Sequence, residues 1–266
     1  MPRRADANGA GPNATGTLGK AMDVLDAVAA AATPPRFTDL LKKIDQPRGT
    51  LHRQISNLVE EGLLSVRGDH SYELGIRLLR LASKAWSDNQ FRLVAEPHLR
   101  RLHDATGETV HLGVLSGSEV VYLDKVEGRQ MVRMHSQIGN ASPVYCTGVG
   151  KAALSALPDA EVERRIALLH FHAHTPVTLH DADALRREVA AIRRAGVAYD
   201  REEHEPGIHC VAAPIHSPNR DFVAGVSVTA PAYRIPMTRL EEWEPLVRSC
   251  AQAIMEDMAS RLGPRS

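Results

Sequence analysis

RFTDLLKKIDQPRGTLHRQISNLVEEGLLSVRGDHSYELG, residues Arg36 to Gly75, carries two short helical patterns, a tight break and two strand-like pieces around a turn. Leu51, Ile55, Leu58 and Val59 recur at helical spacing, so one face of the second helix is apolar. Its other face is read as Arg48, Thr50, His52, Arg53, Gln54 and Asn57. Cations, a hydroxyl and amides suit phosphates and base edges. The first helix, Phe37 to Ile44, ends in Lys42 and Lys43. Between the helices, Asp45 is expected to make a left-handed turn and Pro47 to stop the first helix. This is the layout of a helix-turn-helix whose second helix enters a DNA major groove.

After Gly62 the period changes to two: Leu64, Val66 and Tyr72, Leu74 alternate around Arg67-Gly68-Asp69-His70. A hairpin at that place is a wing, with Arg67 at its tip aimed at phosphate or minor groove. An ordinary helical hairpin in an enzyme domain gives a similar pattern. The wing and the cluster of Lys42, Lys43, Arg48 and Arg53 against Asp45 favour DNA.

The chain has 266 residues, 43% of them hydrophobic, and a formal net charge of zero. That length suggests two domains with a real core. Neutrality argues against non-specific coating of nucleic acid; a specific binder needs only a local basic patch. Cys146, Cys210 and Cys250 lie far apart, without disulfide or zinc-finger spacing. No apolar run is long enough for a membrane span and none looks like a signal peptide, so a cytoplasmic protein with no membrane partner is expected.

Residues 1–17 read as a disordered arm. A helix from Leu18 to Ala32 completes a winged domain over residues 18–75. Residues 76–90 read as an apolar linker helix that either packs on its own domain or pairs with the same helix of a second subunit; the second is favoured, because a winged domain reads a palindrome as a dimer. Pro97 is expected to end that helix. Residues 91–266 follow as strands Glu108–Leu115 and Val120–Val126, a third at Met131–Gln137 and a loop to Thr147. Helices come next at Gly148–Leu157, Asp159–His170 and Asp181–Ala195. Strands Val197–Asp200, Ile208–Ile215 and Phe222–Thr229 and a closing helix from Leu240 complete the chain, with a hairpin loop at His216–Arg220. Paired strands flanked by helices, without a regular βαβ repeat, make an α+β domain with an antiparallel sheet.

The blocks GETVHLGVLSGSEVVYLDKVE (Gly107 to Glu127), PVYCTGVGKAALS (Pro143 to Ser155) and YDREEHEPGIHCVAAPI (Tyr199 to Ile215), in this order behind the winged domain, resemble IclR-type bacterial transcriptional regulators. The resemblance covers nearly everything after the arm. It implies a GAF-like effector domain for a small molecule, often a carboxylic acid. It also implies a homodimer or homotetramer on a palindromic double-stranded DNA operator, with repression as the default. Carried over by position, the effector residues are Gly148, Val149, Asp200, Cys210, Ser227 and Thr229. Asp45 stands where the family usually has Gly, and Gly49 where it usually has Ser, which removes a hydroxyl from that end of the helix.

The residues themselves support an anion site. Backbone N–H groups at the start of a helix lack partners and sit at the positive dipole end. Thr147-Gly148-Val149-Gly150 leads into such a helix. Ser227 and Thr229, two apart on one strand, face the same way, as ligand donors or as groups satisfied within the sheet. Most of Asp200, Glu202 and Glu203 should then face solvent, or Asp200 should meet a ligand hydroxyl and not its carboxylate, which suits a sugar acid. His111, His135, His204 and His209 are further pocket candidates. His170, His172 and His174 sit at the expected end of a helix with no cysteine or carboxylate completing a set, so no metal and no cofactor are expected. The competing classes are a small-molecule-binding or hydrolytic Cys/His enzyme without specific DNA binding, and a ligand sensor without DNA binding. For the first, no activating motif accompanies Cys146 or Cys210. For the second, the basic face of the second helix would have to be missing.

Overall fold

The structure, a computed structural model, describes residues 16–130, 136–217 and 222–262. The arm over residues 1–17 therefore lies outside the described residues except for its last two. So do His135, most of the strand expected over Met131–Gln137, and the hairpin loop from Pro218 onward. The chain divides into two compact units, Met1–Asp88 and Asn89–Ser266.

The first unit packs α1 (Gly16–Ala29), α2 (Phe37–Lys43) and α3 (Arg48–Glu60) around Val24, Leu25, Leu40, Leu51, Ile55 and Leu58. The hairpin β1 (Leu64–Val66) and β2 (Tyr72–Leu74) adds Leu64 to that core. Two details differ from the sequence reading. Asp45 is not left-handed: the turn is built by an extended Ile44, whose N–H still bonds Leu40, and by the amide of Gln46 on the Ile44 carbonyl. Gln54 is buried, not on the open face, and its Nε2 donates to the Thr17 carbonyl across the junction with α1. In the wing the left-handed position falls on His70 (φ 62°). The amide of His70 closes on Arg67 O, and Asp69 accepts from the amide and hydroxyl of Ser71. This is the three-residue hairpin loop that ends in a left-handed residue. The helix α4 (Ile76–Ser87) closes the unit and buries no residue fully.

The second unit opens with α5 (Gln90–Thr106). Pro97 lies inside α5 and does not end the previous helix. The break comes earlier, at Asp88–Asn89, because the Asn89 side chain accepts from the Arg92 amide and starts a new helix. Strands β3 (Thr109–Ser116), β4 (Glu119–Val126), β5 (Ala141–Pro143), β6 (Ala198–Arg201), β7 (Ile208–His216) and β8 (Val223–Pro231) form one antiparallel sheet in the order β5-β4-β3-β8-β7-β6. The segment expected as a loop before Thr147 contributes β5, a three-residue edge strand. The helices α6 (Gly148–Ser155), α7 (Asp159–Ile166) and α8 (Ala182–Ala195) follow β5, and α9 (Met237–Leu262) ends the unit.

The sheet separates two cores. On one face Val110, Leu112, Val211, Ala213, Val226 and Val228 pack on α5 and α9. On the other, Cys210 and Ala212 meet Ala152 of α6 and Ile192 of α8. The central strand β8 is buried along its whole length, which explains why VAGVSVTAP carries no charged residue. Among the described residues no helix is long and apolar enough to cross a membrane.

Candidate functional site

On α3 Arg48, His52, Arg53 and Asn57 are exposed, as are Ser56 and Glu60, with Thr50 half-buried beside them. Helix geometry puts them on the side opposite Leu51, Gln54, Ile55 and Leu58. Phe37 at the start of α2 orients two of them. The Arg48 guanidinium lies 5.5 Å from its ring centroid, and His52 meets it edge-on at 5.9 Å. Lys42 and Lys43 are exposed in the last turn of α2. Arg67 sits in the wing, exposed, with its Nη1 3.0 Å from Glu73 across the hairpin. The eight sequence-derived residues thus lie on α2, α3 and the wing of one unit, all solvent-accessible, and their charges are not consumed by burial.

In the second unit, α6 runs across the other face of the sheet with all eight residues buried. Thr147 caps it: its Oγ1 accepts from the Gly150 amide and donates to Pro143 O. The amides left without a helical partner in this first turn are those of Gly148 and Val149. Glycines let the helix end reach the sheet. A methyl on Gly148 would stand 2.8 Å from the Cys210 sulfur. Gly113 and Gly225 pair across β3 and β8 and make the slot that takes Val149. The register sets the remaining members side by side: Asp200 opposite Cys210, Cys210 opposite Thr229, and Ser227 opposite His111. Thr229 and Ser227 lie close enough to the Cys210 thiol for their hydroxyls to favour its charged form. All six sequence-derived residues therefore meet under the start of α6. Cavities of about 460 and 290 Å³ beside α9 share no residue with this set.

Most of the three acids do not face solvent, which leaves the alternative in which Asp200 meets a ligand hydroxyl. Asp200 and Glu203 are buried, and only Glu202 is partly open. The partner of Glu203 is Lys151, 0% exposed. Its Nζ lies 2.6 Å from both Glu203 oxygens and 3.2 Å from Glu188. Asp200 accepts from the Glu203 amide at 2.7 Å. Burial, reinforced by the Glu203 charge, pushes the Asp200 carboxyl up to about 7. A neutral Asp200 does not repel an anion as an ionised one would.

His111 was named only among the pocket histidines, yet it is central. Its Nε2 lies 2.7 Å from Ser136 Oγ, its Nδ1 is 3.3 Å from Thr229 Oγ1, and its ring tilts on Tyr122 at 5.0 Å. Burial, with Lys125 adding to it, holds it neutral, with a pKa near 3. Lys151 escaped the sequence reading altogether. The signal for it was a lone cation inside GVGKAALS, where every neighbour is small or apolar.

Burial pushes the Cys210 thiol up to about 12 and raises those of Cys146 and Cys250 as well. A nucleophilic cysteine needs its thiolate, so this environment works against the hydrolytic alternative. Against the expectation of no ligand set around the histidines, Cys146 lies beside His174 and His204. His170 to His174 follow α7 as an irregular segment that folds back toward Cys146.

Comparison with known proteins agrees with this geometry. The family model described as the IclR helix-turn-helix domain matches residues 17–68, and that of the bacterial transcriptional regulator IclR C-terminal matches residues 83–256. The HTH-type transcriptional regulator BhcR of Paracoccus denitrificans is 31% identical, over 97% of this chain and 94% of that protein. The transcriptional repressor IclR of Escherichia coli is 28% identical, over 90% and 88%. An IclR homolog from Microbacterium hydrocarbonoxydans, solved in complex with 4-hydroxybenzoate, superposes with a TM-score of 0.73 at 27% identity, over 92% of this chain and 99% of that one.

Proposed function

The chain belongs to the IclR family of bacterial transcriptional regulators, and on that premise we propose that it represses a catabolic promoter in the cytoplasm until a small organic acid releases it. One observation supports this reading most: the start of α6 meets Asp200, Cys210, Ser227 and Thr229 in a single buried polar patch. The amides of Gly148 and Val149 take the carboxylate there. Ser227, Thr229 and the protonated Asp200 donate to further oxygens. That donor-rich arrangement suits a hydroxylated acid, a sugar acid included. The relative solved with 4-hydroxybenzoate carries a carboxylate and a hydroxyl, the same pair of groups.

The DNA half reads a palindrome as a homodimer or a homotetramer. Arg48, Thr50, His52, Arg53 and Asn57 read base edges, while Lys42, Lys43 and Arg67 hold phosphates. The pairing surface is the linker helix α4, whose Ile76, Leu79 and Leu81 are 69%, 65% and 56% exposed. Ligand binding shifts the population of linker arrangements and so the half-site spacing. The protein carries no catalytic role in this reading.

Ser227→Trp tests it. The indole fills the patch, so the acid response is lost while operator affinity stays at the parental level. A variant that still responds places the effector elsewhere.

A further inference from the structure

Three segments that lie far apart in sequence bring metal-ligating side chains together. Cys146 precedes the cap of α6, His174 lies in the segment between α7 and α8, and His204 lies in the turn between β6 and β7. One ligand atom from each lies within 4.8 Å of the other two. We propose that Cys146, His174 and His204 bind a divalent transition-metal ion of the zinc class. Thiolate and imidazole select such ions over calcium or magnesium. A tetrahedral ion with bonds of about 2.0–2.3 Å sets its ligands roughly 3.3–3.8 Å apart. Rotation of the exposed His174 and the half-exposed His204 closes that gap, while Cys146, wholly buried, is the fixed point.

The surroundings are those of ligating side chains. Tyr145 Oη lies 3.3 Å from His174 Nε2 and itself exchanges hydrogen bonds with the amide and carbonyl of His172. Glu205 approaches His204 Nδ1 at 3.9 Å. Such outer partners orient ligating imidazoles. The His174 and His204 rings stand 5.1 Å apart, and partial burial favours their neutral, ligating form. Cys146 is a thiol before binding, so the reaction is Cys–SH plus M²⁺ giving the thiolate complex (Cys–S–M)⁺ plus one proton released to buffer. The fourth position falls to water or to His172, whose ring meets His174 edge-on at 4.9 Å. The proposal does not depend on the effector reading.

The test is a cobalt(II) titration of the full-length protein after chelator treatment. A thiolate-to-cobalt charge-transfer band should grow to one ion per chain, with one proton released per ion, and zinc should bleach it. Cys146→Ser should abolish the band. His174→Asn alters an exposed side chain, leaves the fold intact and should weaken binding at least about tenfold. No charge-transfer band in the parent overturns the proposal. So does a band that survives Cys146→Ser, which would point to Cys210 or Cys250, or parental affinity in His174→Asn if Cys146→Ser does not fold.

Discussion

Helices α3 and α6 carry charge in opposite ways. On α3 the guanidinium of Arg48 has only an aromatic face for company and Arg53 is exposed. On α6 the ammonium of Lys151 is sealed from solvent and shared by Glu203 and Glu188. The first arrangement costs folding little, because water and salt already screen the charges. It leaves them free for a partner outside the molecule. The second makes the charges part of the fold, since a buried ion without its counter-ion is unsupportable. The same residue types are thus left open to solvent in one unit and built into the architecture of the other, and burial decides which.

The largest break in that contrast comes from Lys151→Met. It leaves Glu203 buried without its cation, and the second unit should lose about 3–5 kcal/mol. Urea unfolding followed by the emission of Trp243, buried in that unit's core, measures it. A loss below about 1 kcal/mol would mean that α6 is no different from α3. Next is pH. The folded Asp200 carboxyl titrates near 7, above its ordinary value of 3.8, so the folded state holds the proton longer. Its contribution is therefore intact below about pH 4 and is lost as pH rises toward 7, by a few kcal/mol at most. Asp200→Asn should flatten that slope, and an unchanged slope would assign it to other groups.

Arg53→Ala sharpens the comparison from the other side. Operator affinity should fall by about 1–3 kcal/mol in a binding titration at fixed salt. Stability should move by no more than roughly 0.5 kcal/mol. Smallest is Arg67→Ala. Its pair with Glu73 is half exposed, so it should cost the wing less than about 1 kcal/mol in thermal unfolding. Its measurable effect should be a shallower dependence of DNA binding on salt.

How far the sequence could be read follows the same division. The solvent-facing side of α3 was legible because it leaves period and polarity unmasked. Leu51, Ile55 and Leu58 mark the buried stripe of α3, and the cations opposite are what remains. Gln54 misled because a polar residue can be buried once its amide finds a carbonyl, here that of Thr17. Pro97 misled because a capping Asn89 outranked a helix-breaking residue in deciding where the chain bends. In the second unit the order of elements was legible and the candidate positions do converge under α6. The pairing of Glu203 with Lys151 was not, since it joins residues 52 apart along the chain. Nor was the meeting of Cys146 with His174 and His204, which only the fold brings about.

The most direct test of the central claim, that the exposed face of α3 reads specific DNA, is capture of sheared genomic fragments by the purified protein at physiological salt, followed by sequencing. The account predicts a few strongly enriched palindromic sites, lost in Arg53→Ala and released by the cognate acid. Retention without enriched sites, falling uniformly as salt rises, would contradict it.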